Sequence, residues 1–103
     1  MSKHREAFKQ FLDRLEPETG DKIVQVVLFG SVARNEENKD SDVDALVIVE
    51  DKSVKDSVFD ASFDTMLETD IYISPKVLTQ SEFEKVKKTS FIDEIESEMQ
   101  VYG

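Results

Sequence analysis

Apolar residues recur at helical spacing from the start of the chain. Ala7, Phe8, Phe11, Leu12 and Leu15 form one stripe within Ser2 to Leu15, and Pro17 and Gly20 supply a stop. The pattern then changes. From Lys22 to Phe29 the apolar part reads IVQVVLF, short and rich in β-branched residues, which predicts a strand buried on both faces. Gly30-Ser31 follows at once, and Val32 to about Asn38 predicts a short helix or turn. Val43 to Val49 (VDALVIV) predicts a second buried strand, and Glu50 to Lys55 a polar connection. Val54, Val58, Phe59, Ala61, Phe63, Met66 and Leu67 predict a helix of imperfect phase, with Phe59 and Phe63 as core residues. Asp70 to Ser74 (DIYIS) predicts a third strand, with Pro75 after it. Ser81 and Glu84 have capping-box spacing at the head of a further helix, and Phe91, Ile92, Ile95 and Met99 give another helical stripe. The order α-β-(α)-β-α-β-α makes the class α/β or α+β, with a sheet of three or four strands.

At 103 residues the chain is expected to be one domain, 1–103, with a modest core. It has no cysteine, which excludes disulfides, thiolate metal sites and cysteine nucleophiles. The N-terminus lacks an apolar signal core, and no apolar run approaches the roughly 18 residues of a membrane span. A cytoplasmic location and no membrane contact are expected. The formal charge is −10, from 23 acidic and 13 basic residues. Affinity for nucleic acid rests largely on Lys and Arg at phosphates, so direct nucleic-acid binding is not expected. Most of the acids read as a solvated face. Lys85, Lys87 and Lys88 read the same way, or as a patch for a partner or RNA. His4, the single histidine, reads as a solvated bystander near the terminus.

The chemistry is concentrated in Phe29-Gly30-Ser31-Val32-Ala33-Arg34 and Asp40-Ser41-Asp42-Val43-Asp44. A glycine after a buried strand lets the backbone turn sharply and approach a ligand. A helix starting just after Ser31 would aim its N–H groups and dipole at the turn, where a phosphate fits. The Ser31 hydroxyl adds a donor, and Arg34 a fork suited to phosphate oxygens. Taken alone, Gly-Ser after a strand is also what an ordinary turn looks like. Asp42 and Asp44, two apart at the opening of a strand, lie on one face. Adjacent carboxylates repel, and a divalent cation such as magnesium removes that penalty. They could equally face solvent at a strand end. Asp70 can reach them if its strand neighbours the second, giving the carboxylates of a two-metal phosphoryl-transfer site; it could instead be a boundary residue between helix and strand.

Gly30-Ser31, an intervening segment and Asp42-Val43-Asp44 resemble the signature of the DNA polymerase β nucleotidyltransferase superfamily. The string GSVARNEENKDSDVDALVIV is most similar to the minimal nucleotidyltransferase domains, short partners of HEPN-domain proteins in prokaryotic toxin–antitoxin pairs. The resemblance covers nearly the whole chain, from the leading helix through DIYI to a helix ending in VYG. It implies a nucleotidyltransferase fold, a short mixed β-sheet with helices packed on one side. It implies two Mg²⁺ ions and ATP as substrate, with Gly30 and Ser31 on the β and γ phosphates. Asp42 and Asp44 would ligate the metals, and Asp70 would be a third ligand and a proton acceptor. Many members carry glycine after the position of Arg34, where this chain has Asn35, a residue that tolerates positive φ.

Three functions compete at this stage. The first is an enzyme that transfers AMP to a hydroxyl, the acceptor being a tyrosine of a HEPN-type RNase toxin that is thereby silenced. The second is an antitoxin that acts by binding alone. The third is a nucleic-acid-directed transferase, for which 103 residues at −10 leave little room.

Overall fold

Strand β2 (Val43–Val49) is the spine of the molecule, because its side chains alternate between two apolar clusters. Val43, Ala45, Val47 and Val49 join one cluster, while Leu46 and Ile48 join the other. The computed structural model describes residues 2–19, 22–87 and 100–102. The remaining elements are α1 (Lys3–Thr19), β1 (Ile23–Phe29), α2 (Gly30–Ala33), a 3-10 turn (Lys52–Val54), α3 (Lys55–Thr69), β3 (Ile73–Thr79), α4 (Gln80–Val86) and β4 (Gln100–Tyr102).

The sheet has the order β3-β2-β1-β4. β1 runs antiparallel to β2 and β4, while β2 and β3 are parallel, so the sheet is mixed. The stripe of α1 (Ala7, Phe8, Phe11, Leu15) and the buried side of α3 cover one face. On the other face Leu78, Phe83 and Val86, from the end of β3 and from α4, pack on Val27, Phe29, Leu46 and Ile48. The expected mixed sheet with its helices is therefore present, with α4 closing one end of the second face. Each large aliphatic side chain buried in this way contributes about 1.5–3 kcal/mol.

Several boundaries differ from the sequence reading. Helix α1 continues through Pro17 to Thr19, and the Thr19 hydroxyl donates to the Leu15 carbonyl to hold the last turn. A proline there removes a single helical bond, in the final turn where the loss is small. Strand β3 begins later than expected and includes Pro75. The Val43 N–H donates to the Tyr72 carbonyl at 2.9 Å. Bonding residues alternate along a parallel ladder, so Ser74 and Lys76 bond toward β2 and the Pro75 nitrogen faces outward. Proline is tolerated at such an edge because no ladder bond is lost. The capping box is made by Thr79 and Glu82, with both reciprocal bonds formed, so α4 starts earlier than the Ser81–Glu84 spacing indicates. The chain segment expected to end in a helix instead supplies β4, whose Gln100, Val101 and Tyr102 pair with Leu28, Val27 and Val26. The stripe of Phe91, Ile92, Ile95 and Met99, and Lys88, lie outside the described residues.

Helix α3 buries Val58 and Ala61 of its expected stripe but not Phe59 and Phe63, which were expected in the core. It buries Val58, Ala61, Ser62 and Thr65 and leaves Phe59, Phe63 and Leu67 exposed at 42%, 54% and 63%. Small side chains on the buried face let α3 approach α1 and the sheet closely. Arg14 fastens the contact by donating to Thr65 Oγ1 at 3.0 Å and pairing with Glu68, and Thr65 in turn donates to the Ala61 carbonyl. No helix among the described residues is long and apolar enough to cross a membrane.

Candidate active site

The end of β1 makes the first part of the site. Phe29 is fully extended, and Gly30 then turns the chain with φ of +75° into the short helix α2. Only glycine adopts that conformation without penalty. Space imposes the same choice. A Cβ on residue 30 would collide with Asp44 Oδ2 and lie 3.1 Å from its Cγ. The turn is thus packed directly against a carboxylate of the neighbouring strand. The N-cap residue, Phe29, makes no side-chain cap, and the first amides of any helix lack an acceptor within the helix itself. Ser31, half-buried, occupies the second helical position.

The far end of the turn is held by long-range bonds. Asn35 has φ of 59°, so it does occupy the left-handed region that its place after Arg34 suggested. Its Oδ1 accepts from Arg5 Nε at 3.3 Å and Nη2 at 3.0 Å, and Nη2 also donates to the Val32 carbonyl at 3.0 Å. Arg5 of α1 therefore sets the pose of the phosphate-type turn. Arg34, by contrast, is exposed and donates from Nε to Glu36 Oε2 at 3.0 Å. The fork expected to meet phosphate is held by a neighbouring carboxylate.

The two carboxylates come from the loop and strand that follow. Asn38 and Ser41 bind one another: the Asn38 N–H donates to Ser41 Oγ and the Ser41 N–H to the Asn38 carbonyl. His4 Nε2 donates to the Ser41 carbonyl at 2.9 Å. His4 is only 6% exposed, which corrects its reading as a solvated bystander: it pins α1 to the residue preceding Asp42. Nearby, Glu37 is held below the usual carboxylate range, chiefly by its own backbone amide and the Ser2 hydroxyl.

Asp44 lies opposite Phe29 on one side and Ser74 on the other, in the middle of three strands. Val43 and Ala45 point into the α1/α3 cluster, so Asp44 between them faces the other side of the sheet, while Asp42 immediately precedes the strand. Asp42 is exposed and Asp44 half-buried. Two hard carboxylates beside a phosphate-type turn suit Mg²⁺, which characteristically takes one or two carboxylates and fills its remaining positions with substrate phosphates and water.

Asp70 is placed differently from the expectation that it opens a strand. It is the left-handed cap of α3, with φ of 62° and its N–H donating to the Met66 carbonyl, three residues before β3 begins. Because β2 and β3 are parallel, it stands at the same end of the sheet as Asp42, and it is exposed. Among the described residues no three acidic or imidazole side chains are grouped closely enough to hold one metal ion. The structure packs Gly30 against Asp44, with Ser31 next in the turn and Asp42 just ahead of β2, and places Asp70 at the same end of the sheet.

A groove of about 560 Å³ opens beside Asp42, between α3 and the start of β3. Phe59, Phe63 and Tyr72 line it, with Asp60 as its second charged residue. The sequence reading missed this groove, and it missed His4 and Arg5. An apolar residue at every fourth position of α3 was the available signal, and it pointed equally to a core.

The comparisons agree with this geometry. The family model described as nucleotidyltransferase domain matches residues 2–102. A Methanocaldococcus jannaschii protein, provisionally named a protein adenylyltransferase, is 36% identical over 95 residues, spanning 89% of this chain and 91% of that protein. A toxin–antitoxin crystal structure with AMP-PNP superposes with a TM-score of 0.62 at 14% identity, covering 92% of this chain and 72% of that one. A second, a mutant of the toxin–antitoxin MntA-HpeT, gives 0.57 at 11% identity, covering 100% and 74%. At such identities these two show a shared fold. The family match runs through the glycine turn and the paired aspartates alike, and the chain belongs to the nucleotidyltransferase domain family.

Proposed function

We propose that this protein transfers AMP from ATP to a hydroxyl of a partner protein, a tyrosine of a HEPN-type RNase toxin, and so acts as a cytoplasmic antitoxin. The observation that carries the reading is the packing of Gly30 against Asp44, which sets a phosphate-type turn beside a carboxylate pair. The name of the M. jannaschii relative supports adenylylation of a protein. In this reading Gly30, Ser31 and the opening amides of α2 bind the β and γ phosphates, with Arg34 available to them once it leaves Glu36. Asp42 and Asp44 hold Mg²⁺, two ions in the full site, which when bound would neutralise charge on the triphosphate and on the departing pyrophosphate. Asp70, at the same end of the sheet, serves as third carboxylate and receives the proton of the attacking hydroxyl.

The chain's own part in the reaction is positioning and electrostatics. The turn orients the triphosphate, Ser31 donates to it, and the hydroxyl oxygen attacks the α-phosphorus. The bond from that phosphorus to the bridging oxygen breaks and pyrophosphate leaves. Co-expression with the product of the neighbouring gene, followed by intact-mass measurement, tests the proposal. An AMP increment on the partner, absent with Asp42→Asn, is the expected result. Neutralisation of the partner with no mass change, and equally by Asp42→Asn, transfers the role to binding alone.

A further inference from the structure

The groove between α3 and β3 has an apolar lining that the core does not use, and it starts at a carboxylate. Phe59 and Phe63 stand one helical turn apart with Leu67 beyond them, and Tyr72, 62% exposed, faces them from the head of β3. Its charged lining residues, Asp42 and Asp60, are both negative. Asp56 and Asp64, also exposed, flank Asp60 at intervals of four along α3, and the chain as a whole carries −10. Lys55, with Nζ 5.9 Å from the Phe59 ring centre, is the basic group at the head of the stripe.

The position of the groove relative to the turn gives it a direction. Gly30 adjoins Asp44 from β1, whereas the groove lies on the β3 side of the carboxylates. In phosphoryl transfer the attacking and leaving oxygens lie roughly in line. With the β and γ phosphates on the β1 side, the attacking hydroxyl arrives from the β3 side, through this groove. The outward-facing nitrogen of Pro75 removes a donor from the edge of β3, which disfavours addition of a partner strand there. Recognition then falls to side chains.

Resting on the transferase reading, we propose that the α3/β3 groove is the acceptor-docking surface. Its occupant is a polypeptide segment of another protein that carries basic and apolar side chains around the hydroxyl to be modified. Apolar side chains of the segment cover Phe59, Phe63 and Tyr72, and its lysines or arginines meet Asp56, Asp60 and Asp64. Opposite charge at the rim speeds encounter and excludes acidic partners. The step itself forms a bond from the acceptor oxygen to the α-phosphorus, breaks the bond from that phosphorus to the bridging oxygen and releases pyrophosphate. The hydroxyl proton passes to Asp70, at the same end of the sheet as Asp42.

The probe is a short synthetic peptide of lysine, leucine and one central tyrosine, titrated into the isotope-labelled full chain. Its counterpart has glutamate in place of every lysine. The expected result is that the lysine peptide shifts the amide signals of residues 59–67 and 72–74 and the glutamate peptide does not. Phe63→Ser should weaken the peptide about tenfold and leave Mg²⁺-ATP binding unchanged. Equal binding of the two peptides, binding elsewhere, no binding, or an unaffected Phe63→Ser would each overturn the proposal. So would the same shifts appearing with protein concentration alone, which would assign the face to a second copy of this chain. Docking in the groove with no AMP on the peptide's tyrosine, when ATP and Mg²⁺ are added, would remove the transferase reading and leave the docking surface standing.

Discussion

Gly30 and Asp44 exclude one another's growth: the space that a Cβ on residue 30 would need is filled by the Asp44 carboxylate. This contact joins the two halves of the motif across the β1–β2 ladder, where Phe29 pairs with Asp44. Any side chain at 30 must therefore displace a candidate metal ligand and also adopt φ of +75°. Gly30→Ala should lower stability by about 1–2 kcal/mol through the left-handed conformation alone. It should also abolish Mg²⁺-ATP binding, read by thermal melts and calorimetry on the same samples. Ser31→Ala should be milder in both, since the backbone amides remain. Normal nucleotide binding by Gly30→Ala would make the turn merely structural.

The carboxylates give a graded prediction. Asp42→Asn and Asp44→Asn should each reduce AMP transfer by at least about a hundredfold, the scale of losing a charge-stabilising group in an active site. The fold should survive in both variants, read by thermal melts. Asp70→Asn, which removes the proton acceptor, should cost about a hundredfold, the lower end for a lost general base. Wild-type activity in Asp70→Asn would remove that residue from the mechanism. Chelation of divalent ions should abolish transfer and weaken ATP, and equal ATP affinity with and without Mg²⁺ would contradict the metal reading.

Asn35 separates conformational from hydrogen-bonding effects. Asn35→Gly relieves the left-handed conformation, worth about 1 kcal/mol, but loses the bonds from Arg5, worth a similar amount. Near-neutral stability is expected. Asn35→Val loses both, and should destabilise by about 2 kcal/mol or more. Arg5→Ala leaves stability within about 1–2 kcal/mol of the parent but loosens the turn, so nucleotide affinity should fall more than stability. Denaturant melts and calorimetry together resolve the two, and unchanged ATP binding in Arg5→Ala would show that α1 does not set the turn.

Acid should destabilise the fold through three identified carboxylates. Glu82 is held below the usual range chiefly by the Thr79 backbone amide, with Lys52 assisting, while Ser53 does the same for Asp51 and the backbone amide of residue 37 for Glu37. A carboxylate whose folded pKa is depressed stabilises above its unfolded pKa and loses that contribution as the pH falls through the folded value. Stability should therefore be flat with respect to these groups above about pH 5 and decline below about pH 4. Glu82→Gln, which keeps an acceptor for the Thr79 N–H, should flatten the acid limb of the melting curve. An unchanged limb would assign the acid loss to other groups.

The sequence by itself determined whatever is encoded over a few neighbouring residues. The alternation of Asp42, Val43, Asp44 and Ala45 places two carboxylates on one side of any extended chain, and a glycine ending an apolar strand marks a sharp turn, whatever surrounds them. The resemblance carried the fold and the family for the same reason, because its motif is nearly contiguous. Only the tertiary structure decided which face of α3 is buried. Hydropathy favours Phe59 and Phe63 for the core, yet close packing against α1 selects Ala61, Ser62 and Thr65, and the aromatic rings are left outside. It also decided the partners of His4 and Arg5, whose contacts lie 37 and up to 30 residues away and leave no local signature. The place of Asp70 was settled in the same way, because helix α3 runs on to Thr69 and uses that aspartate as its left-handed cap rather than yielding it to the strand.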